Sequence, residues 1–463
     1  MLSATMRAAL FLSVIASAVA AISVPGFAQT TQPATQPTTQ PARQPAEPVA
    51  VVGGTIITVS GAPVENGVML VENGKVTAVG SRDDVPLPDG ITTLDATGKI
   101  VMPGLVDTHS HIGGPGGGDR SGPIQPDVRV YDSLDPYEPG FKRALAGGVT
   151  TLNVMPGSGH LMSGQTVYLK NRTGAKTIED LLLYRDDGTI AGGMKMANGT
   201  NPQGSPPFPG TRGKAAALIR QHFINAQEYK AKMEKGGDDP TTQPGRDIGM
   251  EAMIEVLDGK RIVHHHTHRA DDIMTVLRLQ EEFGFRVVLH HVSEASVVAD
   301  EIAKAGVPAS IILVDSPGGK LEARNLLFEN APAMEKAGAL TAFHTDDPIV
   351  DSRHFMRMAA FGVRAGMSRD EALKALTING AQMLDLGGRV GTLEAGKDAD
   401  FVILSGDPLS TYTVVEQTWV EGRKAFDRSD EKDRLYATGG YGAGYRGKPY
   451  FCCFDHEHAM QGY

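Results

Sequence analysis

Two histidines separated by a single residue close a short apolar stretch, LVDTHSH (residues 105–111). In a β-strand the side chains alternate between two faces, so Asp107, His109 and His111 share one face. Two imidazoles that leave a strand together can both reach one cation. The glycine-rich run 113–118 then turns the chain away without covering them. The pattern predicts a metal site, provided that other segments supply further ligands.

Further polar residues stand where other predicted strands end. Taken singly, each has an ordinary explanation, since a histidine at a strand end usually hydrogen-bonds within the core and a lone lysine usually extends to solvent. Their joint occurrence at strand ends favours one shared metal site over separate coincidences. The residues concerned are Lys195, His264, His266, His268, His291 and Asp346.

These side chains are carried by a central region, residues 104–387, in which strands alternate with helical stretches. Such alternation is typical of a parallel sheet built from βα units. We therefore expect an α/β fold with a (β/α)8 TIM barrel, whose chemistry lies at the C-terminal ends of the strands. The eight strand candidates are 105–109, 149–155, 166–170, 192–196, 261–266, 286–291, 309–314 and 340–344.

The flanking segments, 49–103 and 388–427, consist of short alternating strands with tight turns. Glu72-Asn73-Gly74 has the composition of a hairpin turn. Each segment is too small to fold alone, so we expect the two to form one composite β-sandwich beside the barrel.

The first residues of the 463-residue chain suggest export. Residues 1–28 carry a basic start, an apolar stretch and a small-x-small cleavage site, which together predict a signal peptide and a periplasmic or secreted protein. The apolar stretch is shorter than a bilayer requires, so no integral membrane segment is expected after cleavage. Residues 29–48 repeat Thr-Gln-Pro and predict an extended linker. Residues 428–463 form a tail that carries the only two cysteines, Cys452 and Cys453, whose adjacency disfavours a disulfide between them.

The net charge of −10 comes without any compensating basic block. That balance argues against a nucleic-acid partner, because affinity for nucleic acid depends on clustered positive charge. A small-molecule substrate is the expected partner, and association into a homo-oligomer stays open.

The sequence resembles the amidohydrolase superfamily over nearly all of 49–427, and within it the imidazolonepropionase-like, metal-dependent hydrolases. The segments that carry the resemblance are MPGLVDTHSH (102–111), GGVTT (147–151), HTHRADDI (266–273), GTLEAGKDAD (391–400) and VEG (420–422). The resemblance implies the barrel and the composite sandwich that the strand pattern also predicts.

By position, the resemblance implies a set of metal ligands drawn from five strands. A lysine at the fourth strand is the place where two-metal members carry a carboxylated, bridging lysine. His264, His265 and His268 are alternative ligands on the fifth strand, and His290 is an alternative on the sixth. The implied ligands are His109, His111, Lys195, His266, His291 and Asp346.

Histidine and carboxylate ligands without thiolates suit one or two Zn²⁺ ions, although Mn²⁺, Fe²⁺ or Ni²⁺ can bind the same set. We expect a hydrolase that cleaves a C–N bond in an amide, cyclic amide or N-acyl compound by metal-activated hydroxide, with Asp346 as general base and then general acid. His268 and Arg269 at the mouth are candidates for substrate binding, and His160 and Tyr168 on early loops are weaker ones. The alternatives are an exported dipeptidase of the same superfamily and a non-catalytic metal-binding barrel protein.

Overall fold

The structure is a computed structural model that describes residues 45–237, 239, 241–313 and 320–439. The predicted signal peptide, most of the predicted linker, and the part of the tail with both cysteines lie outside the described residues. Among the helices that are described, none combines the length and the apolar character that crossing a bilayer requires.

The described residues form seventeen strands and ten α-helices. The strands are β1 (Val49–Ile56), β2 (Val64–Glu72), β3 (Lys75–Ser81), β4 (Thr92–Asp95), β5 (Ile100–Pro103), β6 (Leu105–Ser110), β7 (Val149–Val154), β8 (Met162–Gln165), β9 (Val167–Lys170), β10 (Met194–Ala197), β11 (Val263–Thr267), β12 (Val287–His291), β13 (Ala309–Ile311), β14 (Thr341–Phe343), β15 (Phe401–Leu404), β16 (Val415–Val420) and β17 (Arg423–Asp427). The helices are α1 (Gly140–Ala146), α2 (Arg212–Gly236), α3 (Ile248–Leu257), α4 (Ala270–Phe283), α5 (Ala295–Lys304), α6 (Asn330–Ala337), α7 (Phe355–Arg364), α8 (Arg369–Leu376), α9 (Ile378–Met383) and α10 (Glu431–Thr438).

One sheet joins both ends of the described chain. Its strand order is β17-β16-β15-β5-β1-β2-β3, with β4 also paired to β1. The junction between the two segments is the antiparallel pairing of β5 with β15. The predicted hairpin between β2 and β3 is confirmed, and Asn73 and Gly74 both adopt the positive φ that its tight turn requires. The arrangement of this unit as a sandwich stays a prediction.

The central region contains a six-stranded sheet, β14-β13-β12-β11-β10-β8, and a three-stranded sheet, β6-β7-β9. Strands β10 to β14 are mutually parallel, and so are β6 and β7. A parallel bridge between Ser110 and Asp347 connects the end of β6 with the residues that follow β14. These contacts bring the ends of the first and last central strands together.

The third predicted strand departs from the expectation of eight parallel strands. It forms β9, which runs antiparallel to β7, while the preceding β8 runs antiparallel to β10. A parallel crossover needs a connection of about a dozen residues or more, usually a helix. No α-helix lies between β7 and β10 in this described stretch, so the chain returns directly and the direction reverses. Hydrophobic periodicity predicted the strand correctly but carries no information about its direction.

Apolar residues at helical spacing predict helices over 214–235 and 272–283, and the capping box at Ser368 predicts a helix that includes Met383. The first two are present as α2 and α4, with small shifts of their ends. The helix predicted after Ser368 begins there, because the Ser368 hydroxyl accepts from the backbone N–H of Glu371 at 3.2 Å. It does not run continuously to Met383, since Thr377 has non-helical dihedral angles and separates α8 from α9. Part of the predicted tail forms α10, where the Tyr436 ring lies 5.0 Å from the Lys142 ammonium of α1.

A buried cluster of charges connects β9 to the terminal sheet. The ammonium of Lys170, which is 0% exposed, donates to Asp398 at 2.8 Å and to Asp400 at 2.5 Å. Arg389 also donates to Asp398 at 2.7 Å. The Arg172 guanidinium binds the Glu421 carboxylate through two nitrogens, at 2.8 and 2.7 Å. Each of these three positive charges therefore has a carboxylate partner.

Candidate metal centre

The two histidines of the first central strand meet at their outer nitrogens. His109 lies within the fully buried strand β6 and His111 directly follows that strand, and their Nε2 atoms are 3.2 Å apart. The Nδ1 of His111 lies 2.7 Å from the carbonyl oxygen of Met155. Because a carbonyl can only accept, Nδ1 carries the proton, and Nε2 of a neutral His111 presents a lone pair.

Asp346 faces both of these nitrogens. Its Oδ1 lies 2.9 Å from Nε2 of His111 and 3.3 Å from Nε2 of His109. The backbone holds it there, since the Asp346 amide donates to the carbonyl of His109 at 2.9 Å and its φ of 53° lies in the left-handed region. The buried carboxylate of Asp107 accepts from the amide and the hydroxyl of Thr345, at 3.1 and 2.5 Å. The last central strand is thereby fixed to the first.

The spacing of these three atoms fits a metal ion. Zn–N bonds of about 2.0–2.1 Å in a tetrahedron place neighbouring ligand atoms about 3.3 Å apart. The observed separations among His109, His111 and Asp346 are 2.9–3.3 Å. A lone pair of neutral His111 facing a carboxylate oxygen at 2.9 Å is unfavourable unless a proton or a cation lies between them. The donor set therefore suits a divalent cation.

Burial keeps these side chains in the protonation states that metal binding needs. Desolvation lowers the pKa of His344 to about 3 and holds the pKa of His109, His266 and His291 well below the usual histidine value. Burial alone would raise the pKa of Asp346, but the hydrogen bond and charge of His111 outweigh it and lower that pKa. His109, His266, His291 and His344 are thus neutral, and Asp346 is a carboxylate.

The predicted sixth-strand histidine lies beside the same carboxylate. Nδ1 of His291 is 3.8 Å from Oδ2 of Asp346 and 3.1 Å from Nε2 of His344. His291 has a φ of 72°, which ends the regular alternation of β12 and explains how it reaches the site although Val287 and Leu289 precede it on the same face. His266 packs against it with ring centroids 4.4 Å apart. The outer nitrogens of His266 and His291 are both buried, and neither has a hydrogen-bond partner among the described residues.

His344 belongs to this cluster, although it is not among the ligands predicted from the sequence. Its ring stacks on His109 at 5.0 Å, and its Nδ1 lies 2.9 Å from the hydroxyl of Ser310. With His109 and His291 it forms a second trio of nitrogens close enough to hold one ion. The signal was present in the sequence, since His344 precedes Asp346 by two residues and so shares its face.

One lysine, Lys195, lies inside this histidine cluster. It is 0% exposed, and its Nζ lies 3.1 Å from Nε2 of His109 and 3.2 Å from the sulfur of Met155. Burial lowers its pKa to about 7, an effect that the charge of Lys320 reinforces and that of Asp346 opposes. No carboxylate of the described residues forms an ion pair with it, in contrast to Lys170.

The neighbouring histidines of the fifth and sixth strands are occupied by other partners. His264 uses both ring nitrogens, one with the Tyr168 hydroxyl and one with His290, each at 2.9 Å. His265 turns away from the cluster and lines a cavity of about 390 Å³ between α2 and α4. Tyr168 lies in strand β9. The expectation that it lies in an early loop is therefore wrong. Neither His264 nor His265 meets the converging atoms of His109, His111 and Asp346.

The residues predicted to bind substrate lie in different settings. His268 is 6% exposed and stacks on His291, with ring centroids 5.0 Å apart. The Arg269 guanidinium pairs with Asp271 through two bonds of 2.9 Å, and its side chain is 44% exposed. His160 is buried beside Phe208, and neither ring nitrogen has a hydrogen-bond partner. Of these, His268 touches the cluster directly.

Comparison with known proteins identifies the family of the chain. Residues 225–426 match the amidohydrolase family. The chain is also similar to the crystal structure of an amidohydrolase from Thermotoga maritima MSB8, with 34% identity and a TM-score of 0.76, over 82% of this chain and 100% of that one. The chain belongs to the amidohydrolase family. Membership makes it a hydrolase of carbon–nitrogen bonds and places it in a metal-dependent family, as the sequence predicted.

Curated amidohydrolases are related at lower identity. Imidazolonepropionase from Acidiphilium cryptum is 26% identical over 374 residues, which cover 75% of this chain and 88% of the relative. Amidohydrolase tasK from Hapsidospora irregularis is 27% identical over 391 residues, or 78% of this chain. The chain spans only 40% of the length of that fungal protein.

Proposed function

We propose that this amidohydrolase cleaves a C–N bond in an amide, a cyclic amide or an N-acyl compound at a centre that takes one or two divalent cations. The convergence of Nε2 of His109, Nε2 of His111 and Oδ1 of Asp346 within 2.9–3.3 Å of one another carries the proposal. Nitrogen and oxygen donors without thiolate favour Zn²⁺, and they also accommodate Mn²⁺, Fe²⁺ or Ni²⁺.

A second ion is supported by the remaining ligands. The unpartnered outer nitrogens of His266 and His291 would hold it, with Lys195 between the two ions. A buried ammonium beside metal ions would repel them, whereas the neutral amine can add to CO₂, which forms a carbamate and releases one proton. The carbamate of Lys195 would then be an anionic ligand for both ions. Its contact with His109 at 3.1 Å supports this role, because His109 is a proposed ligand of the first ion.

Asp346 would handle the proton during hydrolysis. When bound, the metal lowers the pKa of water and polarises the scissile carbonyl. As a carboxylate in contact with both first-strand histidines, Asp346 accepts the proton of the attacking water and later donates it to the leaving nitrogen. Asp107 and Thr345 keep the carboxylate oriented through the contacts described above.

We also propose that the two central sheets are parts of one distorted (β/α)8 barrel, residues 104–387, flanked by a composite sandwich of 49–103 and 388–427. The parallel bridge between Ser110 and Asp347 supports closure between the first and last strands. The short step from β8 to β9 supports closure on the opposite side, because these strands pair with β10 and β7, respectively. The site would then lie at the C-terminal mouth.

Three substrate groups need to be separated by experiment. Similarity to imidazolonepropionase favours cyclic amides, while the family in general leaves N-acyl compounds and dipeptides open. We propose to load the purified full-length protein with Zn²⁺ and to assay cyclic ureides, N-acetyl amino acids and dipeptides, together with metal content by mass spectrometry. Hydrolysis of one group with one or two bound ions is the expected result. A metal-free protein, or a loaded protein that hydrolyses none of them, would contradict the proposal and favour a non-catalytic role.

Export is proposed from the sequence of residues 1–28 alone. Expression in a Gram-negative host should give a periplasmic protein. Its first residue should be Gln29 if cleavage follows Gly-Phe-Ala, or Ala21 if cleavage follows the alternative site Ala18-Val19-Ala20. Mass spectrometry of the purified chain distinguishes these starts. An intact Met1 in the cytoplasmic fraction would overturn the proposal.

A further inference from the structure

A chain of hydrogen bonds runs along one edge of the histidine cluster. Asn201 donates to the hydroxyl of Ser158 at 2.6 Å, and its Oδ1 accepts from the ammonium of Lys320 at 2.9 Å. The same ammonium lies 3.3 Å from Nε2 of His268. Nδ1 of His268 lies 2.6 Å from the hydroxyl of the buried Ser293. Four separate segments of the chain therefore hold one positive charge in place.

The direction of these bonds fixes the tautomer of His268. An ammonium can only donate, so Nε2 of His268 accepts from Lys320, and Nδ1 carries the proton that is donated to Ser293. With both nitrogens used, His268 has no free N–H for a substrate carboxylate. The other predicted anion-binding residue, Arg269, is already paired with Asp271. The positive charge at this position therefore belongs to Lys320.

The ammonium of Lys320 still has capacity for a ligand. Two of its three N–H groups point to Asn201 and His268, and its side chain is 40% exposed. Among the described residues, the carboxylate that pairs with it is that of Glu322, whose Oε1 is 3.7 Å away and thus beyond hydrogen-bonding distance. The other oxygen of Glu322 accepts from the Thr200 amide at 2.7 Å and from Arg212 at 3.2 Å. The charge of Glu322 is thus shared among several donors.

Lys320 stands two aromatic rings away from the proposed general base. The ring of His268 stacks on that of His291, which lies 3.8 Å from Asp346. We propose that Lys320 binds the carboxylate of an anionic substrate while the scissile C–N bond lies at Asp346. The substrate class is then acids that carry a free carboxylate a few bonds from the amide, such as N-acyl amino acids, ureido acids and dipeptides. This inference rests on the proposed function for the bond that is cleaved.

Matched acids and carboxamides test the inference with the metal-loaded, full-length protein. The probes are N-acetyl-leucine with N-acetyl-leucinamide, and glycyl-leucine with glycyl-leucinamide, compared in kcat/KM and in calorimetric affinity. We expect the wild type to prefer an acid over its amide. Lys320→Met should lower the value for the acid by roughly 10- to 100-fold, because a hydrogen bond to a charged group is lost. The carboxamide should change by less than about 3-fold.

Two further variants separate recognition from structural damage. Lys320→Arg should restore most of the preference, and the exposed Lys336→Met should leave it unchanged. Metal content and melting temperature of all variants should match the wild type. No preference for acids in the wild type, or an equal loss on acid and amide in Lys320→Met, would overturn the inference. If the wild type binds acids preferentially but cleaves nothing, the proposed function fails while the role of Lys320 stands.

Discussion

Two lysines, Lys170 and Lys195, are both 0% exposed, but they lie in opposite chemical settings. Lys170 donates to the carboxylates of Asp398 and Asp400 and so has its charge balanced. Lys195 meets a histidine nitrogen and a methionine sulfur, and no carboxylate of the described residues pairs with it. Desolvation of an unpaired charge costs several kcal/mol, so the protein maintains Lys195 at a stability disadvantage.

The two clusters differ in completeness as well as in charge. Around Lys170 the charged groups pair with one another, whereas around Lys195 several histidine nitrogens are buried without a partner in the part of the chain that the structure describes. Buried polar atoms without partners are rare in folded proteins and call for an explanation. A bound cation supplies one at the second cluster, and nothing further is needed at the first. The comparison therefore distinguishes a structural charge cluster from a candidate catalytic one.

Removal of metal should give the largest difference between the two clusters. Dialysis against a chelator should abolish hydrolysis, and Zn²⁺ should restore it, because Asp346 alone cannot activate water. The Lys170 cluster contains no candidate metal site among the described residues and should be unaffected. The chelated protein should therefore retain its fold, as measured by circular dichroism. Full activity in a protein shown to be metal-free would contradict the proposed centre.

Asp346→Asn should lower kcat by roughly 10²- to 10⁴-fold, the usual contribution of a general acid–base residue. The amide keeps an oxygen ligand in place, so most of the metal should remain bound. The measurements are steady-state kinetics and metal content, with Asp351→Asn, a helix-capping residue, as control. Wild-type turnover in Asp346→Asn would remove Asp346 from its assigned role.

Matched substitutions of the two lysines should separate stability from function. Lys170→Met should lower the free energy of unfolding by about 3–5 kcal/mol, since it leaves the buried carboxylate of Asp400 without its counter-charge. In the metal-free protein, Lys195→Met should leave the free energy of unfolding unchanged or raise it, because the substitution removes a buried ammonium that no carboxylate of the described residues pairs with. Urea unfolding of both variants measures the difference. Equal destabilisation would mean that the two sites do not differ as described.

Asp398→Asn should have a smaller effect that depends on pH. Burial opposes ionisation of Asp398, but Lys170 and Arg389 outweigh it and hold its pKa well below the ordinary value of 3.8. A carboxyl group with a lowered folded-state pKa stabilises the protein above its unfolded pKa, and that contribution is lost as the pH falls. The wild type should therefore exceed Asp398→Asn in stability at pH 7, and the gap should narrow below about pH 4. A constant gap would refute this account.

The sequence predicted the convergence of most of these side chains, because they lie at strand ends and share faces set by the two-residue repeat. Their role as metal ligands stays a prediction. His109, His111, His291 and Asp346 are brought together as predicted, and His266 packs against His291. His344 was not predicted, because the ligands were assigned from the positions that match the family. Its spacing from Asp346 already placed it on the same face.

The remaining differences arise from information that a single strand pattern does not contain. The direction of β9 depends on how the chain returns from β7, and the break at Thr377 depends on its backbone angles. The ion pairs of Lys170 join residues more than 200 positions apart, and no local period encodes such a pairing. Lys320 falls in the same class, since only the folded chain shows that His268 uses its nitrogens elsewhere.

The pairing of β5 with β15 has a consequence for biosynthesis. Neither the edge of β5 nor the ammonium of Lys170 has these partners until the residues near position 400 have been synthesised. A shorter nascent chain therefore presents an open sheet edge and a positive charge without its carboxylates.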